Sequence, residues 1–227
     1  MAQVSTAQPA PWLRFLFKQF GCPSGWLGSI AGRFMARNVY DDAWVVDLLD
    51  VQPTEHVLEV GFGPGVAIEL LARRTTHGMV AGVDPSEVML RQAHKRVAQV
   101  ASAGRVDLRI GGAERLPFAD GSFDKACALH SIYFWPSVEQ GARELHRVLV
   151  PGGRVAIAMR MQQERGGAFN PSRYGMTEQR LAEISHIFAD NGFTDIRTEQ
   201  RDFPRELVTV LLAQRNTNEQ TSSALVR

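Results

Sequence analysis

The chain has 227 residues, 44% hydrophobic and 22% charged, with a formal net charge of +1; at that size about 70% of the unfolded surface is buried on folding, enough for one sizeable core. The near-zero charge excludes a global field for gripping nucleic acid, and no run approaches the length of a membrane-spanning helix. The start of the sequence lacks the pattern of a secretory signal, and Cys22 and Cys127 stand far apart with no Cys/His cluster, so no metal site is expected and a reducing cytoplasm is the expected compartment.

Residues 1–11 are small, polar and proline-punctuated, and read as disordered. Residues 12–50 read as a helical preamble. Large apolar groups crowd 12–20, glycines and Pro23 interrupt the chain, and a helix from Tyr40 to Leu49 sets Trp44, Val45 and Leu48 on one face. From residue 54 short apolar runs alternate with amphipathic segments. Strands are predicted at 56–60, 79–83, 106–110, 123–129 and 154–159, with helices at 65–74, 86–101 and 137–149. That alternation requires a mostly parallel sheet covered by helices on both faces. A long Gly- and Arg-rich loop follows at 160–175, then a helix at 177–190 with Thr177 as its N-cap. Two strands, near 193–200 and 206–213, have no helix between them and are expected to pair antiparallel at the sheet edge. Residues 215–227 read as a flexible tail, leaving 51–214 as the main domain.

The sharpest local signal is VLEVGFGPG at 57–65, a strand, three glycines in alternate positions and then a helix. Glycines suit a sharp turn that a ligand must approach closely, and the N–H groups opening the next helix point at that ligand. The dinucleotide fingerprint G-x-G-x-x-G is not met, because Val66 stands where its last glycine is needed. Glu59, just before the turn, is poor company for a pyrophosphate and good company for an ammonium group. Asp84 ends the second strand, where an acid can accept hydrogen bonds from ribose hydroxyls. GGAERLPFADGSFD at 111–124 follows the third strand and sets Ala113 and Glu114 near an adenine position. A ligand with adenine, ribose and a cationic amino-acid tail satisfies all three places. Asp124 reads as a structural anchor for a strand, and His94 and His146 as surface groups of amphipathic helices.

These motifs, with VDPS around Asp84 and RVLVPGGR at 147–154, resemble those of class I S-adenosylmethionine-dependent methyltransferases, in particular the small-molecule group called methyltransferase type 11. The resemblance covers about residues 54–160. It implies a Rossmann-like, doubly wound α/β fold with a seven-stranded, mostly parallel sheet and an antiparallel last strand, and it makes residues 12–50 an N-terminal helical cap across the open end of the sheet. It also implies S-adenosylmethionine as cofactor, S-adenosylhomocysteine as product, and Glu59, Gly61, Phe62, Gly63, Gly65, Asp84, Pro85, Ala113, Glu114 and His130 as cofactor-binding residues. Family members often carry an acid where this chain has Gly112, so adenine recognition here falls to backbone groups and Glu114.

The acceptor belongs beyond the carboxyl end of the fourth strand, at ALHSIYFWPS, residues 128–137. His130 is the candidate general base, and Tyr133, Phe134 and Trp135 are the candidate apolar wall. The aromatic groups at 12–34 point to an apolar or amphipathic small-molecule acceptor. The Asn/Asp-Pro-Pro-aromatic signature of nucleic-acid amino-methyltransferases is replaced by His130-Ser131-Ile132-Tyr133, so no nucleic-acid substrate is expected. Three alternatives stay open: a membrane-associated C-methyltransferase of a lipid or quinone precursor, a non-catalytic cofactor-binding module, and a nicotinamide-dependent oxidoreductase, which Glu59 and the missing glycine disfavour.

Overall fold

The computed structural model describes residues 39–100, 104–163, 175–204 and 206–217, so the expectations for residues 1–38, most of the 160–175 loop and the end of the tail lie outside the described residues. In chain order the elements are α1 (Val39–Leu49), β1 (His56–Val60), α2 (Val66–Arg74), β2 (Met79–Asp84), α3 (Glu87–Val97), β3 (Val106–Ile110), β4 (Phe123–Leu129), a 3₁₀ turn (Ile132–Phe134), α4 (Val138–Val148), β5 (Leu149–Arg160), α5 (Glu178–Asp190), β6 (Phe193–Phe203) and β7 (Glu206–Arg215).

The strands form one seven-stranded sheet in the order β3-β2-β1-β4-β5-β7-β6. Strands β1 to β5 are mutually parallel, while β7 runs antiparallel to both β5 and β6. From β1 the chain winds outward to β2 and β3, then returns to wind the other way from β4. The crevice between β1 and β4 is therefore the topological switch point, where open α/β sheets bind their ligands.

Both faces of the sheet are covered, as near-continuous apolar strands demand. On one face α4 and α5 bury Leu145, Val148, Ile184 and Phe188 against Leu58, Val60, Ile157 and Met159. On the other, α1, α2 and α3 bury Val46, Leu49, Ile68, Leu71 and Met89 against Val57, Val80, Cys127 and Ala156. Ser86, Ser137 and Thr177 cap α3, α4 and α5, their hydroxyls accepting from the N–H groups of Met89, Gln140 and Arg180. Asp124 accepts from the His56 N–H at 2.8 Å and ties β1 to β4, the anchoring role its sequence position suggests. No helix among the described residues is long and apolar enough to cross a membrane.

Three expectations shift. Strand β5 begins at Leu149 rather than 154, because Leu149 pairs with Phe123 before an irregularity carries the chain through Pro151 and the positive-φ Gly152. Helix α1 does not cross the open end of the sheet. Its first turn stands there, with Asp41 against His130, and its end lies beside the start of β4, where Lys125 donates to the Asp50 carbonyl; it runs down the sheet face. His146 is not a plain surface group: its ring meets Phe193 edge-on at 5.6 Å, between α4 and β6. His94 is exposed, as expected.

Candidate active site

The turn after β1 is held by backbone and by one acid. Gly61, Gly63 and Gly65 have φ of +82°, +50° and +82°, a region that costs other L-residues about 1–2 kcal/mol each. Gly61 N–H donates to the Val83 carbonyl at 2.7 Å, hooking the turn onto the end of β2. A Cβ on Gly65 would lie 2.8 Å from Ala93, so α2 packs on α3 only with glycine there. Phe62, expected at the cofactor, buries its side chain in the core, against the spot a Cβ on Gly82 would need. Only its backbone belongs to the turn.

Asp84 serves that turn directly. Its Oδ2 accepts from Gly63 N–H and its Oδ1 from Ser86 N–H, both at 2.9 Å. Burial pushes its carboxyl up to about 6, against the lowering effect of those two donors. Each oxygen keeps a further lone pair for a ligand hydroxyl. Pro85, the next residue, is exposed.

Glu59 is buried on the face of α1 and α2, and burial, with Asp42 and Asp84 nearby, pushes its carboxyl well above the usual carboxylate range. The Ile68 N–H in the first turn of α2 partly offsets this, while Oε2 has no partner. Asp42 is likewise raised by burial and by its neighbour Asp41. Four buried acids, Asp41, Asp42, Glu59 and Asp84, thus cluster at one end of the sheet, an arrangement that favours a cationic guest.

After β3, Ala113 packs into the core beneath α4, so its side chain offers a ligand little. Glu114 curls back: its Oε2 lies 2.8 Å from where a Cβ on Gly112 would stand, and its Oε1 is buried without a partner. The carboxylate thereby fills the space that the missing side chain at 112 leaves open.

After β4 the chain turns at His130, a non-glycine residue with φ +55°. Its Nε2 lies 2.8 Å from Asp41 Oδ2, and its Nδ1 is buried with no partner. The ligand atoms of Asp41, Asp42 and His130 lie within 4.8 Å of one another, close enough to share a cation, but the Nε2–Oδ2 hydrogen bond commits two of them to each other. The aromatic wall is only part free. Tyr133 exchanges hydrogen bonds with the backbone of Arg160 through its hydroxyl, whose pKa burial pushes up to about 12. Trp135 lies against Gly141 of α4, and Phe134 is 40% exposed.

Asp41 and Asp42 are the site residues that sequence reasoning misses. Two acids in a helix's first turn ordinarily mark a solvated N-terminus, and nothing local says that this one is buried 89 residues away from its histidine.

Comparison with known proteins identifies the family. A model of the type 11 methyltransferase domain matches residues 58–157. The uncharacterized methyltransferase YdaC of Bacillus subtilis is 30% identical over 179 residues, covering 78% of this chain and 93% of that protein. The ubiquinone/menaquinone biosynthesis C-methyltransferase UbiE of Geotalea daltonii is 36% identical over 121 residues, 52% of each chain, so this chain spans about half the length of that relative. Among solved structures, an S-adenosylmethionine-dependent methyltransferase from Aquifex aeolicus superposes with a TM-score of 0.63 at 22% identity, over 77% of this chain and 89% of that one; at that identity it speaks for the fold. The chain belongs to the class I S-adenosylmethionine-dependent methyltransferases, in the type 11 group. It is an enzyme that takes its methyl group from S-adenosylmethionine.

Proposed function

We propose that this enzyme methylates a small apolar or amphipathic molecule at the β1–β4 crevice. The carrying observation is that Glu59 Oε2, Glu114 Oε1 and His130 Nδ1, buried polar atoms in or just after β1, β3 and β4, all lack partners among the described residues, which a folded protein seldom tolerates without a ligand. The residues fit the cofactor. Glu59, with Asp42 near it, faces the cationic amino-acid end; Asp84 and the glycine turn take the ribose; Glu114 accepts from the adenine amine in place of an acid at 112. Bound there, S-adenosylmethionine supplies a methyl group on a positively charged sulfur, open to in-line displacement.

The chain's own task is then to align an acceptor and keep water out. Phe134 offers exposed aromatic surface beside that crevice, which suits an apolar acceptor. The quinone-pathway relative supports putting a reduced quinone in the acceptor panel. The test is calorimetry with S-adenosylmethionine, S-adenosylhomocysteine and NADH, followed by transfer of labelled methyl to that panel. Binding of the first two with labelling of an apolar acceptor is expected. Binding of NADH alone, or labelling of charged acceptors only, contradicts the reading.

A further inference from the structure

We infer that His130 and Asp41 form a proton-accepting dyad and that the acceptor is an apolar aromatic molecule bearing a weakly acidic hydroxyl; this rests on the methyl-transfer site proposed above. The observation is a contact that spans the fold. Asp41, in the first turn of α1, reaches the residue that ends β4 at 2.8 Å, with both side chains almost wholly buried. A carboxylate only accepts, so it holds a proton on Nε2 and, in the neutral ring, leaves the lone pair on Nδ1. Nδ1 is a buried atom that no group among the described residues satisfies.

The backbone agrees. His130 sits at φ +55°, a conformation that costs a side chain energy and is retained where the surroundings fix it, commonly at sites of function. Its N–H donates to the Ala158 carbonyl at 3.0 Å, so neighbouring β5 holds the turn. The ring is thus oriented twice, by strand pairing and by Asp41. A ring needed only for packing requires neither a carboxylate on one nitrogen nor a bare lone pair on the other.

The chemistry selects the acceptor. A thiolate or a neutral amine attacks without help, while a hydroxyl un-ionised at neutral pH requires a base in the transition state. In the step, the acceptor O–H proton passes to Nδ1 and the oxygen's electron pair forms the new bond to the methyl carbon. The pair of the broken C–S bond stays on sulfur as a neutral thioether. The imidazolium formed is balanced by Asp41, a positioning residue that never touches the acceptor. Phe134, exposed beside the turn, supplies the aromatic contact.

Two measurements test this. Nitrogen-15 resonances of the His130 ring in the free protein should show Nε2 protonated and Nδ1 bare, and Asp41→Ala should lose that preference; Nδ1 protonated in the wild type overturns the dyad. The second compares methylation of 2-naphthol, un-ionised at neutral pH, with that of 1-nitro-2-naphthol, which is ionised there. In Asp41→Asn and in His130→Gln the 2-naphthol rate, relative to wild type, should fall about 30-fold or more further than the nitronaphthol rate. A fold defect lowers both rates alike, and equal losses overturn the proposal. Labelling of naphthylamine or naphthalenethiol but of no naphthol overturns it too, as does no labelling by a protein that binds S-adenosylmethionine. Failure of the wild type to bind that cofactor removes the earlier reading instead, and the ring resonances still decide the dyad.

Discussion

A Cβ placed on Gly61 would stand 2.3 Å from the Cβ of Ser131, so the turn leaving β1 and the turn leaving β4 are in contact where the strand order reverses. Ser131 reinforces this by donating its hydroxyl to the Val60 carbonyl at 2.5 Å. The glycine turn and the His130 turn are therefore one packed unit.

Gly61→Ala tests that unit. The substitution adds left-handed strain of about 1–2 kcal/mol and an overpacking cost of about 1–3 kcal/mol. The urea midpoint should fall accordingly, and affinity for S-adenosylmethionine should fall with it. A variant of unchanged stability and affinity would show that the two turns are not in contact.

Asp84→Ala leaves the Gly63 and Ser86 N–H groups without their acceptor and removes the proposed ribose partner. Loss of hydrogen bonds to a charged group costs about 1.5–3 kcal/mol, so calorimetry should find S-adenosylmethionine binding weakened by at least about tenfold. Denaturation should show a loss of similar size in the free protein, because the same oxygens hold the turn.

The acidity of Asp84 has a signed consequence. Its folded value of about 6 lies above the ordinary 3.8, so the folded protein holds a proton there that the unfolded chain has released. That contribution to stability is complete below about pH 4 and is lost as pH rises through about 6, a span worth about 3 kcal/mol at most. Stability of the free protein at pH 7 relative to pH 5 should be lower in the wild type than in Asp84→Asn, which cannot titrate. Cofactor binding runs the other way, since the carboxylate is the form that accepts ribose hydroxyls: affinity should rise from pH 5 to pH 7 with proton release, read by calorimetry in buffers of different ionisation enthalpy. A flat affinity would remove Asp84 from the ribose.

Phe188→Ala separates fold from site. Phe188 is wholly buried in α5, beside Phe193 and on the face away from the glycine turn. Truncation of a buried aromatic costs about 3–5 kcal/mol. The folded variant should still bind S-adenosylmethionine with wild-type affinity, measured well below its melting temperature.

Local periodicity made most of this legible. The strands at 56–60, 106–110 and 123–129 fall where their apolar runs end, and Glu59, Asp84 and the glycines meet because a parallel sheet brings its carboxyl ends together. The helix predicted over 86–101 is shorter in the structure: α3 stops at Val97, and nothing in the Ala- and Gln-containing stretch that follows breaks a helical pattern. Phe62 and Ala113 lie inside their motifs yet turn their side chains to the core, since a motif fixes backbone position and leaves side-chain direction to packing. Asp41 was out of reach for another reason. Its partner is chosen by how α1 lies along the sheet, and no pattern within α1 encodes that.

We propose Glu59 as the buried acid that meets the cofactor's charge. Titration of S-adenosylmethionine into the wild type and into Glu59→Gln, which keeps shape and removes charge, is the direct test. The wild type should bind, and the variant should lose about 1.5–3 kcal/mol, the worth of a hydrogen bond to a charged group. Equal affinities in the two proteins would contradict it.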